Sequence, residues 1–433
     1  MPQSPYSAPS ADGPLDAVLR LPGSKSLTNR ELVLAALADG PGVLRAPLRS
    51  RDTGLMAAAL RALGAEIADE GPDWRIRPIA APAGRRIGVD VGLSGTVMRF
   101  VPPVAALVTA DVTFDGDEGA RRRPMATTIR ALRDLGVAVD AEADRLPFTV
   151  RGAGSVRGGE LAIDASASSQ FVSGLLLAAP RFELGLVLRH TGARLPSIPH
   201  IEMTIACLRA RGVEVESPEP GVWALAPGQP IRAADPLIEP DLSNAAPFLA
   251  AALVAGGRVR VEHWPAATTQ VGALLAELLP RFGARVTAAQ GSLTVDGGAG
   301  VLGGARLPGV DLDLGMASEL VPTIVGLAAL SPEPSRITGI GHMRGHETDR
   351  LAAFVADLEA LGGRARELPD GIEVLEPARH GGLWRAFADH RMATTGALLG
   401  LVIPGVEVDD IGATTKTLPE FVDLWEAMLV PAH

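Results

Sequence analysis

The chain has 433 residues, 47% hydrophobic and 21% charged, with a formal net charge of −10 and a single cysteine, Cys207. That length outgrows one hydrophobic core, which seldom extends past about 250–300 residues, so two domains are expected. The acidic balance excludes a protein that works by gripping a nucleic-acid backbone, the lone cysteine excludes an intramolecular disulfide or a cysteine-built metal site, and no apolar run reaches the ~20 residues of a membrane span.

In chain order, residues 1–20 carry Pro, Ser and Asp where an export signal needs a basic start and an apolar stretch. They read as a disordered leader of a cytoplasmic protein, ending in a strand at 17–20 able to pair with either half. From there a short polar turn followed by an apolar helix recurs six times. The turns begin at Ser26, Ser94, Ser168, Ser243, Met316 and Ala388, and they lead into LVLAALA, FVPPVAALV, VSGLLLAA, FLAAALVAG, LVPTIVGLAAL and TTGALLGLV. Repeats roughly 70–75 residues apart are too long for a solenoid and suit a small α/β module.

Each copy also carries an amphipathic helix: TGLMAAALRALG, MATTIRALRDLG, HIEMTIACLRARG, QVGALLAELLPRFG, DRLAAFVADLEALGG and LPEFVDLWEAML. Apolar residues at i, i+3, i+4 and i+7 put one face on a core, and the glycine ending five of them predicts a left-handed stop. The segments AEIADE, VAVDAE, VEVES, ARVTAA and IEVLE then alternate like half-exposed strands. The fold class is therefore α/β, in six βαβαβ-like units split three plus three, with ADPLIEP at 234–240 as the crossover. One domain is expected over 21–238, the other over 1–20 plus 239–433. Helix N-termini carry partial positive charge, so a set of convergent helix starts predicts an anionic ligand.

Of the 40 Lys+Arg residues only Lys25 and Lys416 are lysine, and both lie in Gly/Ser/Thr-rich turns. Lysine retained in an otherwise arginine-only chain marks positions that need a compact ammonium with a tunable pKa. Lys25 lies in L-P-G-S-K-S-L-T-N-R at 21–30, a glycine turn offering backbone N–H groups beside Ser26 and Arg30. G-T-V-M-R, R-P-M, S-S-Q-F, H-E-T-D-R, D-H-R-M and T-T-K-T follow in that order. The set closely resembles the 5-enolpyruvylshikimate-3-phosphate (EPSP) synthase family from residue 21 to the final helix.

That resemblance implies two domains of three βαβαββ repeats around buried parallel helices, and a transfer of the enolpyruvyl group of phosphoenolpyruvate (PEP) to the 5-hydroxyl of shikimate 3-phosphate. It places PEP among Lys25, Gly95, Arg123, Gln170, Arg350, Arg391 and Lys416. It places shikimate 3-phosphate against Lys25, Ser26, Arg30, Ser168, Ser169, Gln170, Ser197, Glu319 and His346, with His200 and His342 nearby. Glu319, Glu347 and Lys25 become the candidate proton-transfer groups. No cofactor or metal, no nucleic acid and no membrane are expected, the chain is expected to act as a monomer, and glyphosate is expected to occupy the PEP site against the Gly95 turn.

Leu93, Phe100, His200 and His346 depart from the commoner family pattern, and His346 would need protonation to replace the ammonium found there in many members. Plainer readings stand beside the functional ones. Ser168, Ser169 and Ser243 can cap helices, Arg121 and Arg122 read as a solvated charge run, and Cys207 reads as core. His342, His346 and Glu347 lack the spacing of a metal helix motif, and G-x-G-x-x-G at 298–303 is a turn because no helix follows it. Two rival functions are a sister enolpyruvyl transferase acting on UDP-N-acetylglucosamine, whose usual loop cysteine has no counterpart at 115–125, and a non-catalytic repeat-built binding protein.

Overall fold

The computed structural model describes residues 4–80 and 85–430. The chain divides into two compact units, an inserted one over Gly23–Ile238 and an outer one formed by Met1–Pro22 with Glu239–His433. Three helices lie in the core of the inserted unit: Lys25–Leu37 (α1), Gly95–Ala105 (α2) and Gln170–Ala178 (α3). The outer unit has Ala245–Ala255 (α4), Val321–Ala328 (α5) and His390–Gly400 (α6). Every residue of α2, α4 and α5 is buried. A helix apolar on all faces is stable only when enclosed, and in each unit the three helices pack on one another.

The sheets explain why each buried helix sits where it does. Strands Arg85–Asp90 and Thr109–Asp115 are parallel, and α2 is the crossover that joins them. In the same way α3 joins Gly159–Ile163 to Leu186–His190, α5 joins Asp311–Asp313 to Ser335–Thr338, and α6 joins Gly382–Trp384 to Val406–Val408. An antiparallel strand then lies on the far side of the second strand in each sheet, with a fourth strand beyond it in two of them.

The first repeat of each unit borrows its opening strand from a crossover. In the outer unit, Gly257–Glu262 takes Leu15–Leu19 as its parallel neighbour. In the inserted unit, Arg45 makes a parallel bridge with Leu237, with Arg45 N–H donating to Pro236 O at 2.9 Å and Ile238 N–H donating to Arg45 O at 3.0 Å. Each passage between units thus begins on a strand of the unit being left.

Five of the amphipathic segments form continuous helices, Arg51–Leu63, Ala126–Asp134, Ile198–Ala210, Arg350–Ala360 and Phe421–Leu429. Gly64, Gly136, Gly212, Gly283 and Gly362 all have left-handed φ, between 74° and 112°, as their position after an apolar run predicts. The segment QVGALLAELLPRFG differs: it breaks into short turns at Val271–Leu274, Leu275–Leu278 and Leu279–Phe282. Pro280 cannot donate to the preceding turn.

VEVES forms no strand, only a bridge between Glu216 and Ala224. The leader is also ordered where it is described, contrary to the expectation of disorder. Tyr6 and Ser7 pair with Val408 and Glu407, and Ala8 N–H donates to Val406 O at 3.0 Å. The pairing covers the otherwise open edge of Val406–Val408. The close fit of Ala8 at Gly400, where an added Cβ would lie 2.3 Å from that of Ala8, fixes its place.

Helices α2 and α3 touch closely because neither presents a bulky side chain at the crossing. Pro103 lacks the N–H that would bond Arg99 O, and that carbonyl faces Gly174 on α3, where an added Cβ would lie 2.2 Å from it. Gly174→Ala is therefore expected to destabilise the protein by about 1–3 kcal/mol. Gly54, exposed inside Arg51–Leu63 with nothing within 4 Å of an added Cβ, should behave oppositely, Gly54→Ala adding about 0.5–1 kcal/mol. Urea unfolding of both variants checks the contrast, which fails if Gly174→Ala is neutral.

Candidate active site

In the inserted unit the N-terminal turns of α1, α2 and α3 gather the candidate residues. Ser24 caps α1, its Oγ accepting from Leu27 N–H at 3.5 Å, so Lys25 is the first helical residue. The Lys25 side chain is 15% exposed and its Nζ lies 3.9 Å from Asp52 Oδ2. Asn29 Nδ2 donates to Thr96 Oγ1 at 2.7 Å, tying α1 to the first turn of α2.

Gly95, Arg123 and Gln170 come together there. Arg123 Nη1 donates to Leu93 O at 3.3 Å, and a Cβ built on Gly95 would lie 2.9 Å from Gln170 Oε1 and 3.2 Å from Arg123 Nη2. Ser168 Oγ accepts from Gln170 N–H at 3.2 Å, so the capping role holds for Ser168. Ser169 is buried and makes no capping bond. Ser197 precedes Ile198–Ala210 with a left-handed φ of 51°. Arg121 and Arg122 pair with Asp115 and Glu118 at the surface.

Arg30 is buried, only 1% exposed. Its Nη1 donates to Ser26 O at 2.8 Å, its Nε to Thr204 Oγ1 at 2.8 Å and its Nη2 to His200 O at 2.9 Å. It joins the Lys25–Ser26 turn to the helix that follows Ser197. The guanidinium lies 5.3 Å from the ring centroid of Phe100, which accounts for a phenylalanine at that departing position through cation–π attraction.

In the outer unit the charges interleave. Arg350, 2% exposed, is bidentate to Asp389, from Nε to Oδ2 at 2.7 Å and from Nη2 to Oδ1 at 3.1 Å. Arg350 Nη2 also reaches Glu347 Oε2 at 3.3 Å, while Glu347 Oε1 takes Lys416 Nζ at 2.5 Å. Burial works against a charged Arg350, but Asp389 and Glu347 outweigh it and hold the guanidinium above its ordinary pKa.

Glu319 lies beside Arg391, with Oε1 3.8 Å from Nη2, and its Oε2 accepts from Ser243 Oγ at 2.8 Å. Ser243 does not cap α4, and the Asp241 carboxylate fixes the turn just before it, accepting from Ser243 N–H and Asn244 N–H at 3.1 and 3.0 Å. One cleft takes in Ser243 and Asn244 at the start of α4, Glu319 and Thr323 at α5, and His390 and Arg391 at α6. Three helix starts thus face one small polar space.

His346 lies beside Arg350, with its Nδ1 3.2 Å from Nη1. The ring of His342 meets that of His346 edge-on at 5.5 Å. No group of three metal-ligating side chains occurs among the described residues.

Two carboxylates went unassigned in the sequence reading, Asp52 and Asp389. Asp389 stands in the D-H-R-M motif at the start of an apolar run, where Asp is a favoured cap, and it accepts from Arg391 N–H at 2.9 Å. Its pairing with Arg350, 39 residues away, had no local signal.

The sequence model for EPSP synthase (3-phosphoshikimate 1-carboxyvinyltransferase) matches residues 9–425. A 3-phosphoshikimate 1-carboxyvinyltransferase from Kocuria rhizophila is 52% identical over 435 aligned positions, covering 98% of this chain and 96% of the relative. The chain belongs to the EPSP synthase family.

Solved structures similar to it include EPSP synthase from Acinetobacter baumannii, with a TM-score of 0.80 at 23% identity over 98% of both chains. The enolpyruvyl transferase NikO from Streptomyces tendae has a TM-score of 0.77 at 19% identity, over 99% of this chain and 98% of its own. At such identities the two structures show the enolpyruvyl transferase fold, in keeping with the α/β repeats read from the sequence.

For this member of the EPSP synthase family, the Arg350–Asp389 pair ties the outer cluster to its helix start. Asp389→Ala leaves a buried guanidinium short of its main partner and should destabilise the protein by about 3 kcal/mol. Removing both charges with Asp389→Ala and Arg350→Met should cost less than the sum of the single changes. Additive losses in urea unfolding would contradict the coupling.

Proposed function

We propose that the chain transfers the enolpyruvyl group of PEP to the 5-hydroxyl of shikimate 3-phosphate and releases inorganic phosphate. The observation that carries this reading is the outer cluster of Arg350, Arg391 and Lys416 interleaved with Glu347 and Glu319. Such a cluster offers fixed cations for a phosphate and a carboxylate, together with two groups able to move protons. Its family and its 52% identical relative support the same reaction. We place the enzyme in the cytoplasm as a monomer needing no cofactor.

In this proposal Lys25, Gly95, Arg123, Gln170, Arg350, Arg391 and Lys416 receive PEP. Lys25, Ser26, Arg30, Ser168, Ser169, Gln170, Ser197, Glu319 and His346 receive shikimate 3-phosphate, and Arg30 also holds the Ser26 turn through Ser26 O. Glu319 takes the proton of the 5-hydroxyl as its oxygen bonds to C2 of PEP, while Glu347 or Lys25 protonates C3. The tetrahedral adduct then loses a proton from the new methyl group as the C2–O bond to phosphate breaks, restoring the double bond. Cations held in a water-poor setting stabilise the negative charge on the departing phosphate.

Phosphate release from PEP should require shikimate 3-phosphate and should not occur with UDP-N-acetylglucosamine; turnover of the sugar nucleotide instead would overturn the reading. Lys25→Met should lower kcat by roughly 100-fold or more with little change in Tm. Glyphosate is proposed to compete with PEP beside Gly95. A methyl group there would crowd Gln170 and Arg123, so Gly95→Ala should raise the glyphosate inhibition constant more than the KM for PEP.

A further inference from the structure

The segment from Arg385 to Arg391 leads into α6 through two consecutive non-glycine residues in the left-handed region, Phe387 with φ 53° and Ala388 with φ 55°. Such residues persist only where neighbouring structure over-determines them. Here two acidic side chains from elsewhere in the outer unit hold the backbone just before them. Asp357, in Arg350–Ala360, accepts from Arg385 N–H through Oδ2 at 3.3 Å. Asp409, following Val406–Val408, accepts from Ala386 N–H through Oδ1 at 2.7 Å.

The rest of the turn is also pinned. Asp409 N–H donates to Trp384 O at 3.1 Å, Asp389 N–H donates to Ala386 O at 2.8 Å, and Trp384 Nε1 spans the turn to Met392 O at 2.7 Å. The turn delivers Asp389 to Arg350 and sets the first residues of α6, including Arg391.

We propose that Asp357 and Asp409 are positioning residues for the anion-binding turn, holding the Arg385 and Ala386 amides so that the strained pair after them presents Asp389 and Arg391 correctly. This inference rests on the assignment of Arg350 and Arg391 to PEP. Neither carboxyl needs to be charged for the task, only to accept. Burial drives the Asp357 carboxyl up to about 7, against the pull of the Arg385 amide, so it takes up a proton near neutrality while its bonded oxygen still accepts. Its other oxygen, Oδ1, is buried without a hydrogen-bond partner. Asparagine, which keeps an accepting oxygen, is therefore the conservative replacement at either position, and leucine removes the acceptor at similar size.

The test measures steady-state KM for each substrate, kcat and Tm for the full chain and its variants. Asp409→Leu is expected to raise KM for PEP at least fivefold with KM for shikimate 3-phosphate changed less than twofold, and Asp409→Asn to restore KM for PEP to within twofold of wild type. Asp357→Leu and Asp357→Asn should repeat the pattern. Ala388→Gly removes the left-handed penalty, so adding it to Asp409→Leu should recover part of the affinity for PEP; this double variant replaces Asp409→Leu where the single variant is too unstable to assay. Equal effects on both substrates, or no rescue by asparagine, would reduce the two acids to general structural roles and overturn the proposal. A normal wild type whose KM for PEP rises in Arg391→Ala but not in Asp409→Leu would overturn the inference while leaving the functional reading intact. A wild type that does not use PEP would overturn both.

Discussion

A helix buried on every face leaves the N–H groups of its first turn without water, and the polar chemistry of this protein grows from meeting that need. Ser24 answers it for α1, Ser168 for α3 and Asp389 for α6. Polar residues therefore accumulate at one end of each apolar helix, where the aligned peptide dipoles already favour anions. The repeat makes a protein core and, at the same turns, a set of places for negatively charged ligands.

Cations at those turns need holding before any ligand arrives. Lys25 faces Asp52, Lys416 faces Glu347, and Arg350 lies between Glu347 and Asp389. A buried ion pair does little for net stability, since desolvation offsets much of the attraction. Its value here lies in orientation: bidentate contact with Asp389 fixes the plane of the Arg350 guanidinium. Asp389 joins the two requirements, because one carboxylate caps α6 and fixes Arg350.

Much of this was legible in the sequence because the same residues announce both the fold and the chemistry. Apolar runs such as FLAAALVAG read as enclosed helices, and Gly64, Gly136, Gly212, Gly283 and Gly362 read as left-handed stops, since each signal is local. What stayed hidden depends on distant pairing. The short strand Tyr6–Ser7 has no pattern of its own and exists because Val406–Val408 offers an edge. Arg30 bonds Ser26 O and His200 O, and Arg350 bonds Asp389, partners set by packing between distant segments.

The central claim is that Lys25, Arg123, Arg350, Arg391 and Lys416 are the anchors of two anionic substrates. A crystal structure of the chain with shikimate 3-phosphate and PEP, under conditions that slow turnover, tests it most directly. Phosphate and carboxylate oxygens should lie within about 3 Å of nitrogen atoms of Lys25, Arg123, Arg350, Arg391 and Lys416. Ligands bound elsewhere, with Lys25 still facing Asp52 and Lys416 still held by Glu347 away from any substrate oxygen, would contradict it.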